Sequence, residues 1–161
     1  MNKKKTFYLG FTLIELLVVI SLIGILAALA LVSFTGAQKQ AKDTQRKSDL
    51  KQYQTALENF ANKNSGFYPA RNDGNGVSFV SIICPLISLT GCTEDPKNSS
   101  DATFSYRYQS DVAADGTITA TQYVLWAKLE NSANYWVNCS DGRVGTKTQT
   151  GFSVSGGNCP L

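Results

Sequence analysis

Residues 10–34 read GFTLIELLVVISLIGILAALALVSF, and this stretch decides the fold. From Phe11 to Phe34 there is one charged side chain, Glu15, in an otherwise apolar run of small and branched residues. A helix of this length rises about 1.5 Å per residue, roughly 36 Å in all, against a bilayer core of about 30 Å. Just upstream lies MNKKKTFYLG, with Lys3, Lys4 and Lys5 together. A basic flank of that kind predicts a cytoplasmic N-terminus and an exported body.

Three readings of this region compete. It is a secretory signal peptide with a small-residue site at Ala28-Leu29-Ala30, a plain membrane anchor, or a leader cut before the apolar run so that the run stays in the mature chain. Glu15 separates them. A carboxylate is costly to place in an apolar segment, less so near its edge. A signal peptide or a simple anchor has no use for that cost. Cleavage between Gly10 and Phe11 would create an α-amino group one helical turn from Glu15. In a stack of parallel helices, Glu15 of one copy could meet the amine of the next, and pairing would offset part of the desolvation.

The string Gly10-Phe11-Thr12-Leu13-Ile14-Glu15, followed by an apolar helix, resembles the prepilin motif of the type IV pilins and type II secretion pseudopilins. The resemblance is specific over the leader and helix and extends to the rest of the chain only in plan. It implies a membrane-stored subunit that polymerises with copies of itself and has no active site of its own. A prepilin peptidase would cut after Gly10 and leave Phe11 N-methylated. Glu15, with Thr12 and Gly24, would serve assembly, aided by pilus or secretion machinery. Many members of the family carry a proline where Val32 stands here. Without it, Gly24 either permits local melting of the helix or simply allows close helix approach. The implied location is the cytoplasmic membrane, in one pass, before assembly, and a cell-surface or extracellular filament afterwards. A minor pilin acting as a tip adhesin or DNA-binding module is the alternative.

Composition narrows the field. The 15 Lys and Arg fall to 12 without the three N-terminal lysines, against 12 Asp and Glu. A neutral body gives no electrostatic case for nucleic acid, and Asp43 and Asp49 interrupt the basic stretch 39–51. The chain has no histidine, so the commonest general base and metal ligand are missing.

The expected fold is α+β. One helix runs over about 11–64, its first half (11–34) spanning a membrane and its second (35–64) amphipathic, after a leader at 1–10. Leu50, Tyr53, Leu57, Phe60 and Ala61 form the apolar stripe. Lys39, Lys42, Asp43, Lys47, Lys51 and Glu58 mark the opposite, polar face. Gly66 and Pro69 end the helix, in a turn resembling that of pseudopilins. Residues 65–161 form a β-rich head: an antiparallel sheet of three or four strands packed on the stripe. Alternation marks strands around 104–109, 123–129, 135–139 and 143–148, with Asp115-Gly116 and Ser140-Asp141-Gly142 as hairpin turns. Residues 70–100 read as loop-rich, with Ser78–Leu89 either helix or strand. The Trp and Tyr residues read as core, with a sugar-binding platform as the alternative.

Four cysteines allow three pairings. Cys84 with Cys92 and Cys139 with Cys159 close local loops, and the second pair resembles the C-terminal disulfide loop of many pilins. Free buried thiols are the other reading. No metal or other cofactor is expected, with one candidate exception. Some pseudopilins bind calcium in C-terminal loops, and Asp73-Gly74-Asn75-Gly76 and Glu94-Asp95 with Asp101 offer oxygen ligands, although such clusters also serve as plain solvated turns.

Overall fold

The computed structural model of the chain describes residues 10–112 and 116–161. The leader residues 1–9 and the Asp115 half of one expected turn lie outside the described residues. Two compact units divide at Gln38: the chain up to that residue, and Lys39–Leu161.

A single helix, α1 (Leu13–Lys63, 51 residues), continues through Gly24 and Gly36 without a break. Its C-terminal end is closed by an arrangement in which the Gly66 amide donates to the Ala61 carbonyl at 2.8 Å. Ser65 takes the left-handed conformation (φ 57°) at the position glycine usually fills, and Gly66 follows at φ 87°. So the stop falls one residue earlier than Gly66 suggests.

In the globular unit, the second half of α1 packs on a five-stranded antiparallel sheet. The strands are β2 (Val77–Ser78), β3 (Arg107–Ser110), β5 (Tyr123–Lys128), β6 (Asn134–Cys139) and β7 (Val144–Thr148), and they lie in the order β2-β3-β5-β6-β7. The last four are the strands expected from alternation. The fifth, β2, is a two-residue edge strand inside the supposed loop, too short to alternate. It leads into a π-helical turn (Phe79–Ile83) and the short α2 (Cys84–Leu86), so the 78–89 stretch is mostly helical.

The route from β3 to β5 is not a simple hairpin. Between them β4 (Ile118–Ala120) leaves the sheet and pairs with β1 (Tyr68–Pro69), just after the end of α1. The physical reason is visible in the bonds: the Ala70 amide donates to the Thr117 carbonyl at 2.7 Å and the Gly116 amide to Ala70 at 3.1 Å, so the turn region is anchored to the helix exit.

Leu50, Tyr53, Leu57 and Ala61 are buried, and Phe60 is half-buried. The four buried ones share a core with Tyr106, just before β3, with Tyr108 of β3, and with Tyr123, Leu125 and Ala127 of β5. Rings meet here in sequence: Tyr53 stacks on Phe79 at 4.4 Å, and Tyr108 on Tyr123 at 5.8 Å. The outer face of the sheet is covered too. Val124, Trp126, Val137 and Cys139 pack under a C-terminal tail that contributes Phe152, Val154, Cys159 and Leu161. β5 is thereby buried on both sides, with five of its six residues inside.

Both local cysteine pairs are bonded in the structure: Cys84 to Cys92 and Cys139 to Cys159. The second ties the tail to the end of β6. Replacing Cys139 and Cys159 together by serine is expected to destabilise the globular unit by about 3 kcal/mol on the loop-entropy estimate. Denaturant unfolding under non-reducing conditions measures this, and an unchanged midpoint would show that the tail's apolar contacts hold it alone.

Two positions assigned to the polar face of α1 are not on it. Asp43 is buried and accepts hydrogen bonds from Arg46 Nη1 at 2.7 Å and from the Glu130 and Asn131 amides at 2.8 and 2.9 Å. Glu58 accepts from the Tyr68 and Tyr123 hydroxyls at 2.8 and 2.7 Å. Both carboxylates are turned toward the head because donors there are otherwise unsatisfied. Burial, and then the Glu58 carboxylate, push the Tyr68 phenol up to about 12.

Candidate functional site

The N-terminal part of the described chain is built for contact with something apolar. Every described side chain from Gly10 to Leu29 is exposed, including Leu13 at 88% and Phe11 at 82%. None of the most apolar 18-residue window is buried. A helix that is apolar all round is stable only inside a membrane or a larger assembly.

Its few polar groups are satisfied within the helix. Thr12 precedes the first helical residue and acts as its cap. The Glu15 amide donates to Thr12 Oγ1 at 3.3 Å. In return Glu15 Oε2 accepts from the Thr12 amide at 2.8 Å and from its hydroxyl at 2.7 Å. This reciprocal arrangement is a capping box, which satisfies amides that the first helical turn leaves free. It also sets a negative charge at the positive end of the helix dipole. The signal, Thr-x-x-Glu at residues 12–15, stands in the sequence and is missed when Glu15 is read for its charge alone. Ser21 is likewise satisfied, its hydroxyl donating to the Val18 carbonyl at 2.8 Å.

Gly10 lies just outside the helix and is exposed, and a Cβ built on it meets nothing within 4 Å. The structure therefore brings Phe11, Thr12 and Glu15 together at one helix end with Gly10 open beside them. Gly24 lies elsewhere on the helix, with open space around its Cα.

The head holds the other candidate residues apart from this end in sequence. Of the calcium candidates, Asp95 is buried and committed: Arg46 Nε and Nη2 donate to its two oxygens at 2.6 and 2.8 Å. Asp101 accepts from the Thr103 amide and hydroxyl, which with Lys128 and Lys97 nearby holds its carboxyl below the usual range. Asp73 sits in a tight turn between residues 73 and 75. Cys139, Asp141 and Cys159 lie close enough to hold a metal, but the two sulfurs are bonded to each other and offer no thiolate. The Arg46 cluster, with Asp43, Asp95 and Glu130, has no signal in the sequence beyond the Asp43–Arg46 spacing of three.

Comparison with known proteins agrees with this geometry. A family model described as the prokaryotic N-terminal methylation motif matches residues 8–31. The type IV major pilin protein PilA of Myxococcus xanthus is 38% identical over 76 residues, 42% of this chain and 34% of that protein. The prepilin peptidase-dependent protein D of Escherichia coli is 34% identical over 91 residues, 51% of this chain and 62% of that protein. The type II secretion system core protein G of Pseudomonas aeruginosa is 42% identical over 65 residues, 40% of this chain and 45% of that protein. In each case the chain spans less than two thirds of the relative it matches. No solved structure matches the chain. By name the first is a pilin, the second depends on prepilin peptidase and the third is a secretion-system core protein; none is named as an enzyme. With the methylation motif at 8–31, the capped apolar helix that follows it and an antiparallel head packed on the helix's second half, the chain resembles the type IV pilins and type II secretion pseudopilins.

Proposed function

We propose that this chain is a filament subunit, a pilin or pseudopilin, held in the cytoplasmic membrane by residues 11–34 until it assembles. The prepilin peptidase cuts between Gly10 and Phe11 and the new amine is methylated. Subunits then pack through α1, and the residues from 65 onward decorate the shaft. The single observation that carries this reading is the start of α1, from Leu13 to Leu29, whose side chains are overwhelmingly apolar and all exposed among the described residues. Moving it from lipid into a core of like helices leaves its apolar surface out of water in both places, so the hydrophobic effect opposes the transfer little.

The mature N-terminus tests the proposal directly. Mass spectrometry of membrane or sheared-filament protein is expected to find a chain that begins with methylated Phe11. A chain that starts at Leu31 would identify a secretory signal peptide and end the filament reading. Gly10→Glu is expected to leave a full-length, membrane-bound precursor. Because the space around Gly10 is open, that block would reflect peptidase recognition and not a local clash. Mature protein of unchanged size from this variant would refute the assigned cut.

A further inference from the structure

The outer face of the head carries a cavity of about 390 Å³ that has no part in helix packing. Its walls include Asn75 from the loop before β2, Ser105 and Arg107 at the start of β3, Trp126 of β5, Tyr135 of β6 and Phe152 of the tail. Three features set it apart from an ordinary crevice.

The first is its charge. Arg107 is half-buried, and no acidic residue lines the cavity. Among the described residues Arg107 forms no ion pair within 4 Å, whereas the fully buried Arg46 has three carboxylates around it. The second is its rigidity. Arg107 Nε donates to Ser105 Oγ at 2.9 Å and Nη1 to the Gly76 carbonyl at 3.1 Å. The guanidinium plane is fixed on two sides, and three of its five N–H groups remain for a guest. Gly76 makes this possible: at φ 71° its backbone lies against Trp126, and a Cβ there would sit 2.3 Å from the indole.

The third is the shape of the aromatic wall. Tyr135 and Phe152 have centroids 4.5 Å apart with planes inclined at 40°, and Phe152 meets Trp126 at 5.6 Å and 58°. Trp126 is only 5% exposed and forms the floor. Beyond the leader the chain carries equal numbers of basic and acidic residues, which gives a polyphosphate backbone no electrostatic draw and disfavours a nucleic acid as the guest. A pyranose, with C–H groups on one face and hydroxyls around its edge, fits a tilted apolar cleft that also carries Asn75 and Ser105. Across the sheet ladder Tyr135 stands between Lys128 and Lys147; Lys128 is engaged with Thr103 near Asp101, so Lys147 is the added positive charge on this side.

We propose that this cavity binds a carboxylated sugar, the hexuronate unit of an acidic polysaccharide. The planar carboxylate takes the free fork of Arg107, and the apolar face of the ring lies against Tyr135 and Phe152. The site lies wholly within the Lys39–Leu161 unit, so it stands or falls independently of cleavage and polymerisation.

Isothermal titration calorimetry on the full-length chain in detergent micelles tests it, with trigalacturonate as the probe. A neutral galactose trisaccharide and an oligothymidylate serve as comparison ligands. Saturable binding of trigalacturonate at millimolar or lower concentration is expected, with the neutral sugar weaker by at least about tenfold. Arg107→Gln and Tyr135→Ala should each weaken trigalacturonate by about tenfold or more. Tyr135 is half-buried and packs on Phe152 at the edge of the second core, so thermal unfolding and near-ultraviolet circular dichroism of both variants establish that the head is folded before their affinities are compared. Absence of saturable binding by the parent chain would overturn the proposal. So would equal affinity for the neutral sugar, tighter binding of the oligothymidylate, or full affinity in a folded Tyr135→Ala.

Discussion

Replacing Glu15 by alanine is expected to abolish filaments while membrane insertion and cleavage after Gly10 continue. The proposed reason is that Glu15 of an incoming subunit meets the amine of Phe11 on its neighbour, so an apolar substitute leaves that amine unanswered in a dry core. The structure adds a second role that must be separated from the first. Within its own chain Glu15 already accepts two hydrogen bonds from Thr12 and completes the cap of α1. Alanine removes the charge and the side-chain half of the cap, while the backbone amide at position 15 can still donate to Thr12 Oγ1. Glutamine separates them, because a Glu or a Gln at this position can complete a capping box, but only the acid can pair with an ammonium. If charge pairing drives assembly, Glu15→Gln fails as alanine does. If capping is what matters, Glu15→Gln assembles and Glu15→Ala does not. Electron microscopy of sheared filaments, with an immunoblot for processed protein in the membrane, reads both outcomes. Normal filaments from cells that make only Glu15→Ala would remove this residue from the assembly mechanism altogether.

Much of this architecture is written in local patterns. The apolar run and the stripe at Leu50, Tyr53 and Leu57 are visible because helical periodicity persists over many turns. Four strands are visible because β-prone runs of four to six residues lie between turn signals, although their burial does not alternate: β5 is inside on both faces and β7 is mostly exposed. The elements that escape are those with too few residues to show a period: β1, β2 and β4 contribute two, two and three residues. The tail from 150 onward escapes for another reason. Its glycines and asparagine look like a solvated loop, yet Phe152, Val154 and Leu161 close the second core over Trp126.

Long-range polar contacts are the least legible class. Asp43, Asp49 and Glu58 have the sequence character of a wet helix face. Each is instead met by groups far along the chain: Asp43 by the amides of 130 and 131, Asp49 by the Tyr106 hydroxyl, Glu58 by Tyr68 and Tyr123. A helical wheel records that a residue is polar and says nothing about a donor 57 positions later. The same holds for the candidate site. The motif at 10–15 is local and was read from its residues, whereas the Arg107 cavity draws on five separate segments.

The largest stability effect is expected at Arg46, which is fully buried. Its guanidinium donates to Asp95 at 2.6 and 2.8 Å and to Asp43 at 2.7 Å, lies 3.6 Å from Glu130, and stands over the Phe104 ring at 4.8 Å. Burial opposes its charge, but the bonds to Asp95 and Asp43 more than restore it and hold its pKa above the usual arginine value. The contacts tie two loops, around 95 and around 130, to the same turn of α1. Arg46→Ala would strand Asp95, whose side chain is wholly buried, without its counter-ion. Breaking a buried pair from one side costs about 3–5 kcal/mol, equivalent to a fall in thermal midpoint of roughly 10–20 °C for a unit of this size. The reverse substitution separates loss of the pair from loss of packing. With Arg46→Met and Asp95→Leu together, the remaining carboxylates keep partners: Asp43 keeps the amides of Glu130 and Asn131, and Glu130 keeps Lys97 at 3.4 Å and Lys42 at 3.9 Å. The double variant is therefore expected to be more stable than Arg46→Ala, a non-additivity that coupled neighbours produce. Thermal unfolding of the three proteins, followed by near-ultraviolet circular dichroism from the buried tyrosines, ranks them. A midpoint for Arg46→Ala that matches the parent would mean that water reaches Asp95, and that the two loops are held to α1 by their apolar contacts alone.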